Sequence, residues 1–384
     1  MITNIPKHWK IKKLGEIANI SSGTTPFRKN PLFYDNADIP WVKTTDLNNS
    51  YITTTEEKVS MYALNNTSLR LYPTNTVLVA MYGGFNQIGR TGKLAMEATI
   101  NQALSALVLK NDDVNSDYLL FWLNTNVEKW KRFAGSSRKD PNINGKDVAE
   151  FSILIPPLKE QEKIAEMLLT CDKAIRLTTQ IITQLKQRNQ GLAQQLLTGE
   201  KRVKGFENSV WKEVRLGELL DYEQPTNYLV KNTDYSNEYK IPVLTAGKTF
   251  ILGYTNEKEG ICTNIPLILF DDFTTDSRYI DFPFKVKSSA VKLLKTKKNV
   301  NLRFIFEAMK LIKYAIGGHE RHWISKYAFL TIFVPSFKEQ NAIAQILDTA
   351  HQELKLYEQK LQLLQAQKKT LMQKLLTGEV LTLA

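Results

Sequence analysis

Apolar side chains recur in alternating steps of four and three along two stretches of the chain. The first runs Ile164, Leu168, Cys171, Ile175, Thr178, Ile182, Leu185, Asn189, Leu192, Leu196. The second runs Ile343, Leu347, Ala350, Leu354, Tyr357, Leu361, Leu364, Lys368, Leu371, Leu375. A seam of that spacing held over more than four heptads predicts two long helices of the coiled-coil kind. Thr178, Asn189 and Lys368 interrupt it. Asn189 and Lys368 fall at equivalent places, as a register-fixing polar layer would; a solvated turn is the other reading. Pro156-Pro157 and Pro335 precede the helices, and Ser336 with Glu339 reads as a capping box. Gly199 and Gly378 stand where a left-handed C-cap residue belongs. From Leu158 to Leu196 an unbroken helix would be about 58 Å long, at about 1.5 Å per residue.

The stretches between change pattern. Thr76 to Tyr82 and Leu104 to Leu109 read as buried strands, Asp117 to Phe133 as a helix, and Phe151 to Ile155 as a strand entering the prolines. Further on, Ile265 to Phe270 reads as a strand, Leu302 to Ile316 as a helix and Ala328 to Val334 as a strand. The expected fold class is α+β, with four segments: a mixed α/β globule at 1–155, a helical region at 156–205, a second globule at 206–333 and a second helical region at 334–384.

The chain repeats itself. Trp9 through Glu16 (WKIKKLGE) returns as Trp211 through Glu218 (WKEVRLGE). Ile155 through Gln161 (IPPLKEQ) returns as Val334 through Gln340 (VPSFKEQ), and Leu196 through Glu200 (LLTGE) as Leu375 through Glu379. The segments between these echoes do not resemble each other in sequence. An internal pseudo-two-fold is implied, and it favours pairing of the two helices within one chain over pairing between chains.

Composition narrows the partners. Of 384 residues 43% are hydrophobic, enough for folded cores and against global disorder. The net charge of +12 points to a polyanionic partner. All four segments share it (+4, +4, +3 and +1 in chain order), so basic faces on folded domains are expected rather than a basic tail. Cys171 and Cys262 are far apart, without metal-ligand spacing, which suits a reducing, cytoplasmic setting. The polar, basic stretch Met1 to Lys13 is unlike a signal peptide, and no apolar run could span a bilayer.

Catalytic motifs fail one after another. Gly247-Lys248-Thr249 has Pro242 where a phosphate-cradling loop needs glycine. Pro156-Pro157 lacks the flanking Asn or Asp and aromatic of an adenine methyltransferase. His319 and His322 have no third ligand nearby for zinc, and no nucleophile-elbow serine is present. Asp221, Glu238 and Lys240 have the loose shape of a nuclease site, a triplet that chance supplies easily. Together these point to a binding protein with no catalytic residues, metal or cofactor of its own.

The doubled Ile/Val-Pro-Pro/Ser-Leu/Phe-Lys-Glu-Gln motif, the Trp9 and Trp211 copies and each Leu-Leu-Thr-Gly-Glu end closely resemble the conserved regions of Type I restriction-modification specificity subunits. Gly83-Gly84-Phe85-Asn86-Gln87-Ile88-Gly89-Arg90 and Asn101-Gln102 resemble that family's first target recognition domain. The second globule departs from it, with Phe270-Asp271-Asp272-Phe273 in place of the Gly-rich stretch. The resemblance implies that each globule reads one half of a split double-stranded DNA site. It implies that the helices pack as an antiparallel coiled coil setting the spacing, typically about one DNA turn. Two modification (methyltransferase) subunits and the restriction subunits would join the complex. S-adenosylmethionine, ATP and Mg would belong to those partners. The alternatives are a recognition subunit for a fused nuclease-methyltransferase, or a coiled-coil adaptor without DNA contact.

Base edges are read by Arg, Lys, Asn and Gln, and phosphates are held by Lys and Arg. The candidate DNA-binding residues of the first globule are Asn86, Gln87, Arg90 and Lys93 on the Gly-rich loop, and Ser136, Ser137, Arg138 and Lys139 on a second loop. In the second globule they are Thr274, Thr275 and Arg278, with His319, Arg321 and His322 on the positional counterpart of that second loop. Asn101 and Gln102 are either readers or internal turn caps.

Overall fold

The computed structural model describes residues 5–84, 86–130, 134, 142–245, 249–314 and 322–382. Contacts gather the chain into two compact units, Met1–Thr179 with Lys360–Ala384 (unit 1) and Gln180–Gln359 (unit 2). Each unit combines one globule with one end of each long helix, because the helix ends pack into the globule cores. Ile164, Leu168, Leu375 and Leu376 join the core around Trp9, and Leu196, Leu197, Ile343 and Leu347 join that around Phe304.

In unit 1, strand Lys10–Lys13 pairs antiparallel with Ser152–Ile155, which runs through the prolines into the first long helix, Leu158–Leu197. A single turn, Leu14–Ile17, leads to a five-stranded sheet in the order Ala18–Ser22, Leu104–Leu109, Val77–Ala80, Thr91–Leu94, Tyr51–Ile52. A three-stranded sheet has the order Glu57–Val59, Ile39–Val42, Thr99–Ile100. Val77–Ala80 is buried at every position, so its apolar run does not alternate. Helix Ser116–Thr125 starts at Asn115, whose side chain accepts from the Asp117 and Tyr118 amides. The helix expected over Asp117 to Phe133 breaks at Asn126, whose side-chain amide donates to Trp122 O (2.7 Å), and resumes over Val127–Trp130. Residues 131–133 lie outside the described residues.

Unit 2 repeats this plan. Lys212–Arg215 pairs antiparallel with Thr331–Val334, and the turn Leu216–Leu219 follows. Its sheets run Leu220–Glu223, Val291–Thr296, Leu267–Asp271, Ser277–Ile280 and Ile251–Thr255, Ile241–Leu244, Lys285–Val286. Helix Leu302–Lys310, capped by Asn301, is shorter than the Leu302 to Ile316 expected, and 315 and 316 lie outside the described residues. Interior segments without sequence likeness therefore share one strand order, except that the edge strand Tyr51–Ile52 of unit 1 has no counterpart in the larger sheet of unit 2. The likeness reaches single atoms. A Cβ on Gly15 would sit 3.1 Å from Ala149 Cβ, and one on Gly217 3.2 Å from Ala328 Cβ, so an equivalent alanine crowds each turn. Lys110 and Lys297 donate from Nζ to the carbonyls of Gly15 and Gly217, at 2.6 and 2.9 Å.

The long helices are Leu158–Leu197 and Phe337–Thr377, 40 and 41 residues. None of the twenty seam residues is exposed. In unit 2, Lys186 pairs with Glu358 (2.9 Å), Arg188 with Glu353 (2.7 Å), and Asn189 Nδ2 donates to Ala350 O (2.9 Å). As one helix number rises the other falls, so the helices are antiparallel. In unit 1, Lys368 pairs with Asp172 across the same seam. Both polar interruptions are thus partnered, which favours the polar-layer reading over a solvated turn. The capping box is only half formed. The Glu339 amide donates to Ser336 Oγ (3.4 Å), but its carboxylate turns to Arg202 instead of the Ser336 amide.

Candidate nucleic-acid interface

Two hairpin loops occupy the same place in the two sheets. In unit 1 the loop joins Val77–Ala80 to Thr91–Leu94, and in unit 2 it joins Leu267–Asp271 to Ser277–Ile280. The Gly-rich stretch and the Asp271-Asp272-Phe273 stretch are therefore topological counterparts, although their sequences share nothing.

In unit 1 the turn is built on glycine. Gly83, Gly84 and Gly89 have φ of 108°, 77° and 78°, a region other residues enter at a cost. A Cβ on Gly89 would lie 2.4 Å from the Trp130 ring. Asn86 is exposed at the tip. Gln87 Oε1 accepts from Arg90 Nη1 (2.9 Å), and Arg90 Nη2 also donates to Leu47 O, so both side chains are held ready at the loop's edge. Lys93 departs from expectation. It lies inside strand Thr91–Leu94, 3% exposed, with Nζ 2.6 Å from Asp117 Oδ1 and over the Tyr51 ring at 5.0 Å. A buried, paired ammonium cannot reach a phosphate, so Lys93 is a core cation. Tyr51 donates to the same carboxylate, and burial with that bond pushes its phenol well above the usual range. Asn101 Oδ1 accepts from the Ala103 amide (3.2 Å), which makes it a turn cap. Ser136, Ser137, Arg138 and Lys139 lie outside the described residues.

In unit 2 a carboxylate replaces glycine as the organiser. Asp271 Oδ1 accepts from the Phe273 amide (2.9 Å), and Oδ2 accepts from Thr274 Oγ1 (2.6 Å). Thr275 has φ of 57°, unusual for a β-branched residue. Thr274, Thr275, Arg278, Lys310, Tyr314 and Tyr327 line one open groove of about 580 Å³. Its two cations have local carboxylates: Arg278 pairs with Asp276 (3.1 Å) and Lys310 with Glu307 (3.0 Å). The Arg278–Asp276 pair is exposed on both sides and worth little, whereas Glu307 is buried and only the ammonium of Lys310 reaches solvent. His322, expected on an exposed loop, is fully buried. Its amide donates to Asp272 O (3.0 Å) and its ring meets Tyr314 edge-on at 5.7 Å. His319 and Arg321 lie outside the described residues. The groove brings together Thr274, Thr275 and Arg278 from the sequence reading. It adds Lys310, Tyr314 and Tyr327, which no sequence pattern marked, since only the fold draws them to one wall.

The repeated Lys-Glu-Gln motif has a role the sequence reading missed. Gln161 Nε2 donates to Pro156 O (2.9 Å) and its Oε1 accepts from the Asn115 amide (2.8 Å). Gln340 does the same with Pro335 O (3.0 Å) and the Asn301 amide (2.9 Å). Each glutamine ties the start of a long helix to the N-cap of its domain helix. The loosely nuclease-like residues do not behave as a site: Asp221 faces Lys297 (3.6 Å) and Glu238 lies exposed in a turn. Among the described residues no group of three His, Cys, Asp or Glu could hold a metal, and no helix is long and apolar enough to cross a membrane.

A twice-built α+β unit with a variable hairpin at one fixed place, clamped to paired helices, is the frame of a two-part recognition scaffold. The chain belongs to the Type I restriction modification DNA specificity domain family, whose description matches it twice, over residues 6–187 and 208–366. It is 47% identical over 146 residues to the Type I restriction enzyme EcoR124I/EcoR124II specificity subunit of Escherichia coli, covering 35% of this chain and 36% of that protein. It is 34% identical over 179 residues to the Type I restriction enzyme MjaIX specificity subunit of Methanocaldococcus jannaschii, covering 45% and 40%. The matches thus span less than half of these two relatives. The fold is similar to the crystal structure of the Type-I restriction-modification system S subunit from M. genitalium, with TM-score 0.67, 16% identity and 97% of each chain covered.

Proposed function

We propose that the chain is the DNA-specificity subunit of a Type I restriction-modification complex and performs no chemistry itself. Unit 1 reads one half of a bipartite double-stranded DNA site and unit 2 the other. The observation that carries this is the pair of unlike hairpins at one topological position of a repeated fold. A constant frame with exchanged loops is what reading two different half-sites demands. In unit 1, Asn86, Gln87 and Arg90 offer donors and acceptors that match base edges. In unit 2, Arg278 and Lys310 offer phosphate contacts beside Thr274 and Thr275. Two modest interfaces on one chain add affinity through effective concentration.

Methylation and cleavage fall to partners: two modification subunits, which hold S-adenosylmethionine, and restriction subunits, which use ATP and Mg. The complex works in the cytoplasm. The test is to express the chain with its modification subunit and map methylated adenines genome-wide. The expected result is a split motif, two short defined halves around a fixed gap, with exchange of residues 1–155 for those of another family member changing one half only. An assembled complex that adds no methylation would overturn the reading in favour of an adaptor without DNA contact.

A further inference from the structure

Two adjacent acids in unit 2 are buried under the hairpin that lines the groove. Asp271 is 4% exposed and Asp272 1%. They face different partners. Asp271 folds the turn above it through the Phe273 and Thr274 amides (2.9 and 3.3 Å) and Thr274 Oγ1 (2.6 Å). Asp272 Oδ1 accepts from the Trp323 amide (2.8 Å), and its backbone carbonyl accepts from the His322 amide (3.0 Å). Its other oxygen lies 3.2 Å from Lys292 Nζ, on the neighbouring strand and fully buried, which also donates to Gln224 Oε1 (3.0 Å).

The short helix His322–Ser325 that Asp272 holds leads into Tyr327, which lines the same groove as Thr274. Phe270 packs on Trp323 (5.2 Å) and Tyr327 (4.9 Å), and Tyr327 packs on Tyr314 (5.6 Å). One acid thus shapes the Thr274 wall while the next pins the segment that carries the tyrosine wall. Burying a charge this deeply is unfavourable unless it is paired, and a well-packed apolar pair would serve stability as well. The counterpart hairpin in unit 1 manages with glycines and holds no acid. Stability alone therefore does not call for the Asp272–Lys292 pair.

We propose that Asp271 and Asp272 are positioning residues for base discrimination in the half-site read by unit 2, fixing the separation of the groove's two walls so that Thr274, Arg278 and Tyr314 meet the DNA in one geometry. This rests on the reading of the chain as a specificity subunit. A rigid first shell discriminates only when a second layer locks it to within a fraction of an ångström.

The experiment uses the full chain assembled with its modification subunit, carrying Asp272→Asn or Asp271→Ala, with adenine methylation mapped across a randomised target library. Asn at 272 keeps an acceptor for Trp323 while removing the charge facing Lys292. The expected result is relaxed base preference in one half of the motif, by about tenfold, the worth of one modest base-edge contact, with the other half unchanged. A merely structural role gives a different outcome: fewer folded complexes, uniformly lower methylation and an unchanged motif, which would overturn the proposal. If one variant fails to accumulate, the other decides, since the two acids hold separate walls. A wild-type complex without any split motif would instead sink the underlying reading, so the two failures are distinguishable.

Discussion

The indole of Trp9 donates to the carboxylate of Glu160 at 3.0 Å, across 151 residues of chain, and His8 reaches the other oxygen at 2.7 Å. The equivalent acid in unit 2, Glu339, is fully buried and takes Arg202 Nη2 at 3.0 Å and Ser209 Oγ instead, while Arg202 lies over the Trp211 ring at 5.3 Å. One motif residue thus anchors the start of each long helix by two different chemistries.

These anchors should differ in strength. Glu339→Ala leaves Arg202 uncompensated and is expected to cost about 3 kcal/mol, the low end for a broken buried pair because Arg202 keeps some water contact. Trp9→Phe removes one charge-assisted hydrogen bond and should cost about 1.5–2 kcal/mol. Thermal unfolding of each variant checks the order. Equal losses would mean that packing, not the carboxylate partner, sets the anchor.

Salt dependence of DNA binding should separate surface cations from core ones. Each phosphate contact contributes about 0.9 to the slope of log affinity against log salt. Arg278→Ala and Lys310→Ala should each lower the slope by about one. Lys93→Met should leave it unchanged while destabilising unit 1, because the partly buried Asp117 loses its ammonium. Fluorescence anisotropy on a cognate duplex across a salt series, with the assembled complex, measures all three. A slope lowered by Lys93→Met would place that residue on the DNA after all.

Unit 2 should lose stability as pH falls through the histidine range. Burial holds His351 below the usual imidazole value, and Arg303, whose Nη2 lies 3.0 Å from its Nδ1, works in the same direction. Glu307 on the same domain helix and Asp348 on the long helix pull the other way, and Lys310 adds to the depression. The unfolded chain binds the proton more readily, so stability rises with pH across the window between the depressed value and the ordinary 6.5. Below that window the cost is fully present, and above 6.5 it is absent. His351→Gln should flatten the thermal midpoint between pH 5 and about 7 relative to wild type. Identical pH profiles would exclude His351 as the cause.

The long helices were legible because heptad spacing is periodic and local, and the repeat was legible because the framing motifs recur in order. The topology shared by the two globules was not legible. It rests on position rather than identity, as where Asn115 and Asn301 cap matching helices within unrelated flanks. That Arg278 lies beside a turn was legible in sequence, and the structure puts it on the groove with Thr274 and Thr275. Lys93 was misjudged because a lysine four residues past the last glycine of the turn, Gly89, looks exposed, and its partner Asp117 lies 24 residues away on another element. Lys310, Tyr314 and Tyr327 come together only through tertiary packing of Phe270 against Trp323 and Tyr327.

Thr275 gives the most direct test of whether the unit 2 hairpin is shaped for recognition rather than for folding. Its left-handed φ of 57° forces a β-branched side chain into a region that costs about 1–2 kcal/mol. Asn enters that region readily without glycine's entropy cost, so Thr275→Asn should raise stability by about 1 kcal/mol if the turn keeps its shape. The Thr275 amide donates to Asp271 O (2.9 Å), which Asn preserves. If the strain is kept because the threonine methyl or hydroxyl meets DNA, the same variant gains stability and loses affinity for the cognate site while binding non-cognate DNA as before. Thermal unfolding and a cognate-against-random competition titration on one preparation give both numbers. A variant that is more stable and equally specific would show that the strained threonine has no part in reading the site.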